Sequence, residues 1–157
     1  MSNHLVGLVS LIDNELIELD RIVERILEGW NRSVRSGDDY YLDAVALNLH
    51  SYYSGLERIF ERIANTVDNN LPTGENWHQL LLLQMTREVA GTRPAVLSLE
   101  ISKQLDEFRG FRHVVRDVYT YHLDPKKIER LVLNCSIVLH EAKVELSAFT
   151  KFLRSVK

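Results

Sequence analysis

Cysteine is almost missing from this chain. Cys135 stands alone among 157 residues, so no disulfide can close within one molecule. That fits a reducing compartment, and a cytoplasmic location is expected. Three prolines and seven glycines are too few for the many tight turns of an all-β chain. No run reaches the roughly 18 apolar residues that span a bilayer, so no membrane insertion is expected. The apolar stretch 5–12 (LVGLVSLI) has no basic segment before it and is followed by Asp13 and Glu15, unlike a secretion signal. Glycine-rich phosphate loops, G-x-S-x-G and dinucleotide fingerprints are absent as well. His4, His50, His78 and His140 fall into no H-x-x-x-H or C-x-x-C spacing. Neither a metal nor an organic cofactor is therefore expected. Positive charge is not in excess either. A formal net charge of -3 argues against a general nucleic-acid coat protein but leaves room for a local basic site.

What is present is helical periodicity. Hydrophobic residues make up 45% of the chain and charged residues 26%, enough for one globular core. Leu5, Val9, Ile12, Leu16, Leu19, Val23, Ile26 and Trp30 recur at helical steps, predicting a helix over 3–34. Asp38 or Asp39 then caps a second helix over about 40–67, with Gly55 inside it. A mid-helix glycine costs about 1 kcal/mol relative to alanine, so a close approach by a neighbouring helix is expected there. The loop Asn69–Gly74 precedes a short helix over 76–89. Its WHQLLLLQM is apolar nearly all round, implying burial on several sides or an interface. A fourth helix runs from about Ser98 to Tyr119 or Tyr121. Asp124-Pro125 starts the fifth, with aspartate as cap and proline in the first turn. No stretch alternates as a strand would. The expectation is a single domain over residues 1–157, all-α, an antiparallel bundle of about five helices. Breaks are expected near 35–39, 68–75, 90–96 and 122–124. Glu24-Arg25, Glu57-Arg58 and Glu61-Arg62 read as solvated pairs, and Tyr52 and Tyr53 as core.

The chemistry-bearing segment is RGFRHVVRDVYTYH, residues 109–122. At about 100° per residue, Arg109, Arg112, Arg116 and Tyr119 share an arc of roughly 80°, with His113 at its edge. Phe108, Phe111, Val115 and Val118 cover the other side. Guanidinium groups bind phosphate with paired hydrogen bonds, an aromatic ring can stack on a base, and a histidine can move a proton. The competing interpretation is a solvated face on which Asp106, Glu107 and Asp117 neutralise the arginines.

The segment resembles the motif of HepT-like HEPN proteins: an arginine, usually a polar residue next, and a histidine after four to six intervening residues, often followed by a tyrosine two residues later. GENWHQLLLLQM and LDEFRGFRHVVR are also similar to a HepT-like subfamily. Two registers fit. In the preferred one Arg112-His113 opens the motif, Asp117 stands where the family carries histidine, and Tyr119 is the motif tyrosine. In the other, Arg116-Asp117 opens it and His122 closes it. Aspartate, with an ordinary pKa of about 3.9 against about 6.5 for histidine, is a base but a poor acid at neutral pH. The resemblance implies a metal-independent endoribonuclease toxin in which the ribose 2′-hydroxyl attacks the adjacent phosphate. Its catalytic candidates are Arg112, His113, Arg116, Asp117 and His122, and its RNA contacts are Arg109, Arg112, Arg116 and Tyr119. It also implies a homodimer joined along the motif helices and an MNT-type nucleotidyltransferase antitoxin. That antitoxin would attach AMP to Tyr119 or its neighbour Tyr121. A non-catalytic HEPN protein that binds RNA, a nucleotide or a partner protein remains the alternative, with a purely structural helical adaptor as a third.

Overall fold

A computed structural model describes residues 1–156. Among these, the chain forms five α-helices: α1 (Asn3–Ser36), α2 (Tyr40–Ile63), α3 (Trp77–Met85), α4 (Leu99–Asp117) and α5 (Pro125–Ser155). The only β pairing among the described residues is the isolated bridge between Val89 and Arg93, so no sheet exists there. The fold is the expected all-α antiparallel bundle. No helix is long and apolar enough to cross a membrane.

Local chemistry explains the boundaries. The Ser2 hydroxyl accepts from the Leu5 N–H and starts α1, and Gly37 ends it in the left-handed conformation at φ 68°. Of the two aspartates ahead of α2, it is Asp38 whose carboxylate accepts from the Tyr40 N–H, at 3.0 Å. α2 widens into a π-turn at Ala64–Asp68, which Asn69 closes at φ 52°. The fifth helix opens as expected: Asp124 accepts from the Lys126 N–H beside Pro125.

Two ends differ from the sequence expectation. α3 stops at Met85 rather than 89, and the Met85 carbonyl accepts from the Val96 and Leu97 N–H groups of the returning loop. That helix buries Leu81, Leu82 and Met85, while Leu80 and Leu83 stay half-exposed, so it is not apolar-covered all round. α4 stops at Asp117, because Val118 turns to φ -123°, ψ 157°.

α2 is the hub, packed against α1, α3, α4 and α5. At Gly55 a built Cβ would lie 2.9 Å from Leu19 Cδ2, so the close approach of α1 is real and accounts for the glycine. Tyr52 and Tyr53 are both in the core. The Tyr52 hydroxyl donates to the Cys135 carbonyl at 2.8 Å, and its ring meets Phe108 at 4.8 Å, which ties α2 to α5 and α4. The Cys135 thiol is buried, and desolvation raises its pKa to about 11, so it is an inert core group.

Candidate functional site: an arginine cleft between α3 and α4

Ser98 caps α4 by accepting from the Ile101 N–H, and Ile101, Leu105, Phe108 and Phe111 fix the helix on the core. That anchoring points Arg109, Arg112, His113 and Arg116 together into a cleft of about 190 Å³. The start of α3 and the loop before it form the opposite wall, through Glu75, Asn76, His78 and Gln79. The strip expected from helical geometry is therefore present over residues 109–116.

Its members differ sharply. Arg109 Nε lies 2.6 Å from Asp106 Oδ1, as in the neutralised-face interpretation. Arg116 is exposed and has no carboxylate within 4 Å among the described residues. His113 is exposed, and its Nε2 lies 3.1 Å from Asp117 Oδ2 one turn on. Glu107 is drawn to Arg130 of α5 instead of the strip.

Arg112 is not a solvated residue: its side chain is only 16% exposed. Its Nε donates to the Ser54 hydroxyl at 3.0 Å, and Nη1 lies 3.7 Å from Glu57 Oε1. The expectation that Arg112 stands off the packed face is corrected here. So is the solvated Glu57-Arg58 pair: Glu57 is buried, at 4% side-chain exposure, and Arg58 pairs with Glu15 of α1.

Glu57 also holds His78, whose Nδ1 lies 2.7 Å from Oε2. Arg112 Nη1 approaches the same Nδ1 at 3.3 Å. Both contacts cannot be hydrogen bonds, since a guanidinium only donates and one ring nitrogen cannot donate and accept at once. A neutral Glu57 beside a guanidinium is the costlier arrangement, so Nδ1 carries the proton and donates to the carboxylate. Arg112 then lies beside the pair through its attraction to Glu57. The Trp77 ring stacks on His78 at 3.7 Å and fixes its plane.

The field of this cluster reaches its neighbours. His50, half-buried on α2, has its pKa lowered by desolvation and then by Arg112 and Arg116. The Glu61 carboxyl is raised by desolvation and by Glu57. No group of three or more His, Cys, Asp or Glu side chains gathers as metal ligands would among the described residues.

The second half of the motif lies elsewhere. Because α4 ends at Asp117, Tyr119 is not on the helical strip, and Val118 is exposed rather than packed. Tyr119, Tyr121 and His122 belong to a 3-10 turn and its flank. The tyrosines are 70% and 76% exposed, stacked at 5.6 Å, with His122 edge-on to Tyr121 at 4.3 Å. None of these three lines the arginine cleft.

Ser54, Glu57 and His78 are the site residues that sequence reasoning missed. One signal was available for Glu57: it sits in the row Tyr53, Leu56, Phe60 on the apolar side of α2, where a lone carboxylate needs a partner. Nothing in the sequence marks His78. A family model described as HepT-like protein matches residues 44–153, from the first turns of α2 to the end of α5. No curated protein and no solved structure matches the chain. With more than half of its length matched, this chain belongs to the HepT-like family of the HEPN superfamily.

Proposed function

We propose that the chain is a HepT-like endoribonuclease that cleaves RNA without a metal ion, at the α4 cleft. The observation that carries this reading is the convergence of Arg109, Arg112, His113 and Arg116 on one cleft of a HepT-like chain. Two guanidinium groups near a phosphodiester neutralise it and hold it in place, and the charge that builds on the phosphoryl oxygens is stabilised by the same groups. A net charge of -3 gives no long-range attraction to RNA, so affinity has to come from this local site. A homodimer that faces two α4 helices across one groove doubles the arginines available. Half-exposed Leu80 and Leu83 are candidates for the apolar contact that offsets their repulsion. An MNT-type nucleotidyltransferase is the proposed antitoxin. Exposed Tyr119 and Tyr121 are the hydroxyls to which it would attach AMP.

A second reading has a specific observation behind it. Asp117 stands where the family carries histidine in the preferred register, and it engages His113. A protein that binds RNA without cutting it would have this arrangement. Incubation of the purified protein with total bacterial RNA in EDTA decides between the two. Fragments with 5′-hydroxyl ends, lost in Arg116→Ala, support the nuclease. Salt-sensitive RNA retention without fragments supports the binding protein. Absence of both, in a protein shown to be folded, overturns the cleft as an RNA site.

A further inference from the structure

We propose that His78, oriented by the buried Glu57, is the general base of the cleft. The inference rests on the ribonuclease reading but assigns its proton transfer to a residue outside the α4 motif.

The geometry begins with the carboxylate. Glu57 is enclosed by α2, α3 and α4 and has two cationic or hydrogen-bonding neighbours, His78 and Arg112. Its Oε2 fixes His78 through Nδ1 at 2.7 Å, and Trp77 fixes the ring plane. In the neutral ring with Nδ1 as the donor, Nε2 carries the lone pair. The two ring nitrogens point in nearly opposite directions, so Nε2 is turned away from Glu57. His78 lines the arginine cleft, and Nε2 has no protein partner among the described residues. A carboxylate that sets the tautomer and leaves the far nitrogen free is the arrangement by which a histidine becomes a base.

His113 is placed differently. It is exposed at the cleft edge, and its Nε2 is the nitrogen that Asp117 engages. The cleft therefore holds two histidines of unlike setting on opposite walls, His113 on the α4 wall that also carries the arginines. Strand cleavage needs two proton movements. Nε2 of His78 takes the proton of the ribose 2′-hydroxyl as that oxygen bonds to phosphorus. The bond from phosphorus to the 5′-oxygen breaks, and the leaving oxygen takes a proton from the protonated His113. The products are a 2′,3′-cyclic phosphate and a 5′-hydroxyl, with no change of oxidation state and no net proton gained. Charged neighbours of His78 are Glu57 and Glu61 on α2, Glu75 ahead of α3, and Arg109, Arg112 and Arg116 on α4.

The test compares wild type, His78→Asn and His78→Ala on total bacterial RNA in EDTA. Asparagine keeps a donor near the place of Nδ1, and so the bond to Glu57, but removes Nε2. Cleavage should fall at least about 100-fold in both variants, the usual scale of a lost general base, with RNA retention on a filter unchanged. Added imidazole should restore cleavage to His78→Ala, and more basic methylimidazoles should restore more. A packing role would not produce that ordering. Cleavage by folded His78→Asn within about threefold of wild type overturns the assignment and leaves the ribonuclease reading standing. Loss of cleavage with no imidazole rescue assigns His78 to positioning and also overturns it. If wild type cuts nothing, the ribonuclease reading fails and this inference with it. Thermal unfolding checks the fold, and Glu57→Gln serves as the second variant: it should lose less activity than His78→Asn, because glutamine still accepts from Nδ1.

Discussion

Two arginines of this bundle are packed against buried carboxylates, and their remaining donors are disposed in opposite ways. Arg93 and Asp68 are closed off, at 0% and 3% side-chain exposure. All five Arg93 N–H groups have acceptors: both Asp68 oxygens at 2.6 and 2.7 Å, and the carbonyls of Arg87, Pro94 and Gln84. This cluster bolts the loop after α3 to the π-turn that ends α2. Arg112 has one good hydrogen bond, to Ser54, and its guanidinium lies at the wall of a cleft. A saturated guanidinium has nothing left to offer a ligand. An unsaturated one, held half-buried by a carboxylate, keeps donors free. The difference lies in unspent donors, and it separates a structural lock from a site more clearly than burial does.

The largest expected effect is at the lock. Arg93→Ala removes five hydrogen bonds and leaves buried Asp68 without its counter-ion, with only the Gln84 side-chain amide still donating to it at 2.8 Å, which should cost roughly 3–5 kcal/mol. Urea unfolding measures it directly. A loss under about 1 kcal/mol would mean that the loop rearranges to let water reach Asp68, and the contrast with Arg112 would weaken.

Arg112→Ala should be milder in stability and stronger in function. Glu57 keeps His78 as a partner, so about 1–3 kcal/mol is expected, the range for a buried polar group left partly unsatisfied. RNA retention should drop while the variant remains folded at 25 °C. Arg116→Ala, on an exposed side chain, should lie within about 0.5 kcal/mol of wild type and still weaken RNA retention. If Arg112→Ala retains RNA as wild type does, the open cluster is only a second, looser lock.

Much of this contrast was hidden in the sequence. Helix periods place all five helices, and the capping aspartates place the starts of α2 and α5. The arc of Arg109, Arg112 and Arg116 follows from helical geometry alone, and the structure brings those side chains to one cleft. Depth is harder to read. Arg93, in a Gly-Thr-Arg-Pro turn, looks like a loop residue, and only the return of the chain onto Met85 buries it. Glu57 beside Arg58 looks like a solvated pair until α3 covers it. The end of α4 was also illegible. Helical phase alone carries the strip on to the motif tyrosine, but Val118 adopts extended backbone, and neither Tyr119 nor Tyr121 lines the arginine cleft. The register of the motif is therefore a matter of chemistry, not of helical phase.

A pH dependence probes the field of the open cluster. The His50 pKa is lowered in the folded protein, by desolvation and then by Arg112 and Arg116. A depressed histidine favours the folded state above its unfolded pKa of about 6.5. That contribution is lost as pH falls from there toward the folded value, since the unfolded chain takes up the proton first. His50→Gln should therefore flatten the decline in stability between neutral and mildly acidic pH. Arg116→Ala should reduce the same slope, because it removes one of the cations that depress His50. Unfolding midpoints at a series of pH values read both, and equal slopes in all three proteins would show that the arginines do not act on His50.

The smallest effect concerns a polar group that belongs to neither cluster. Tyr53 stands one turn before Glu57 on α2, and its hydroxyl is buried with no hydrogen-bond partner. Desolvation, with Glu57 second, pushes its pKa far above the ordinary tyrosine value, so it stays neutral at any physiological pH. Arg109 and Arg112 act in the opposite sense, which places the hydroxyl within reach of the cleft's field. An unsatisfied buried hydroxyl costs about 1–3 kcal/mol. Phenylalanine keeps the ring and removes that cost, against a small void where the oxygen stood. Tyr53→Phe should therefore be neutral or stabilising by up to about 1 kcal/mol. Destabilisation by a comparable amount would mean that the hydroxyl has a partner in solution, most simply a water entering from the arginine cleft. The open cluster would then extend one turn deeper into the bundle, and the boundary between core and site would run behind Tyr53 rather than in front of it.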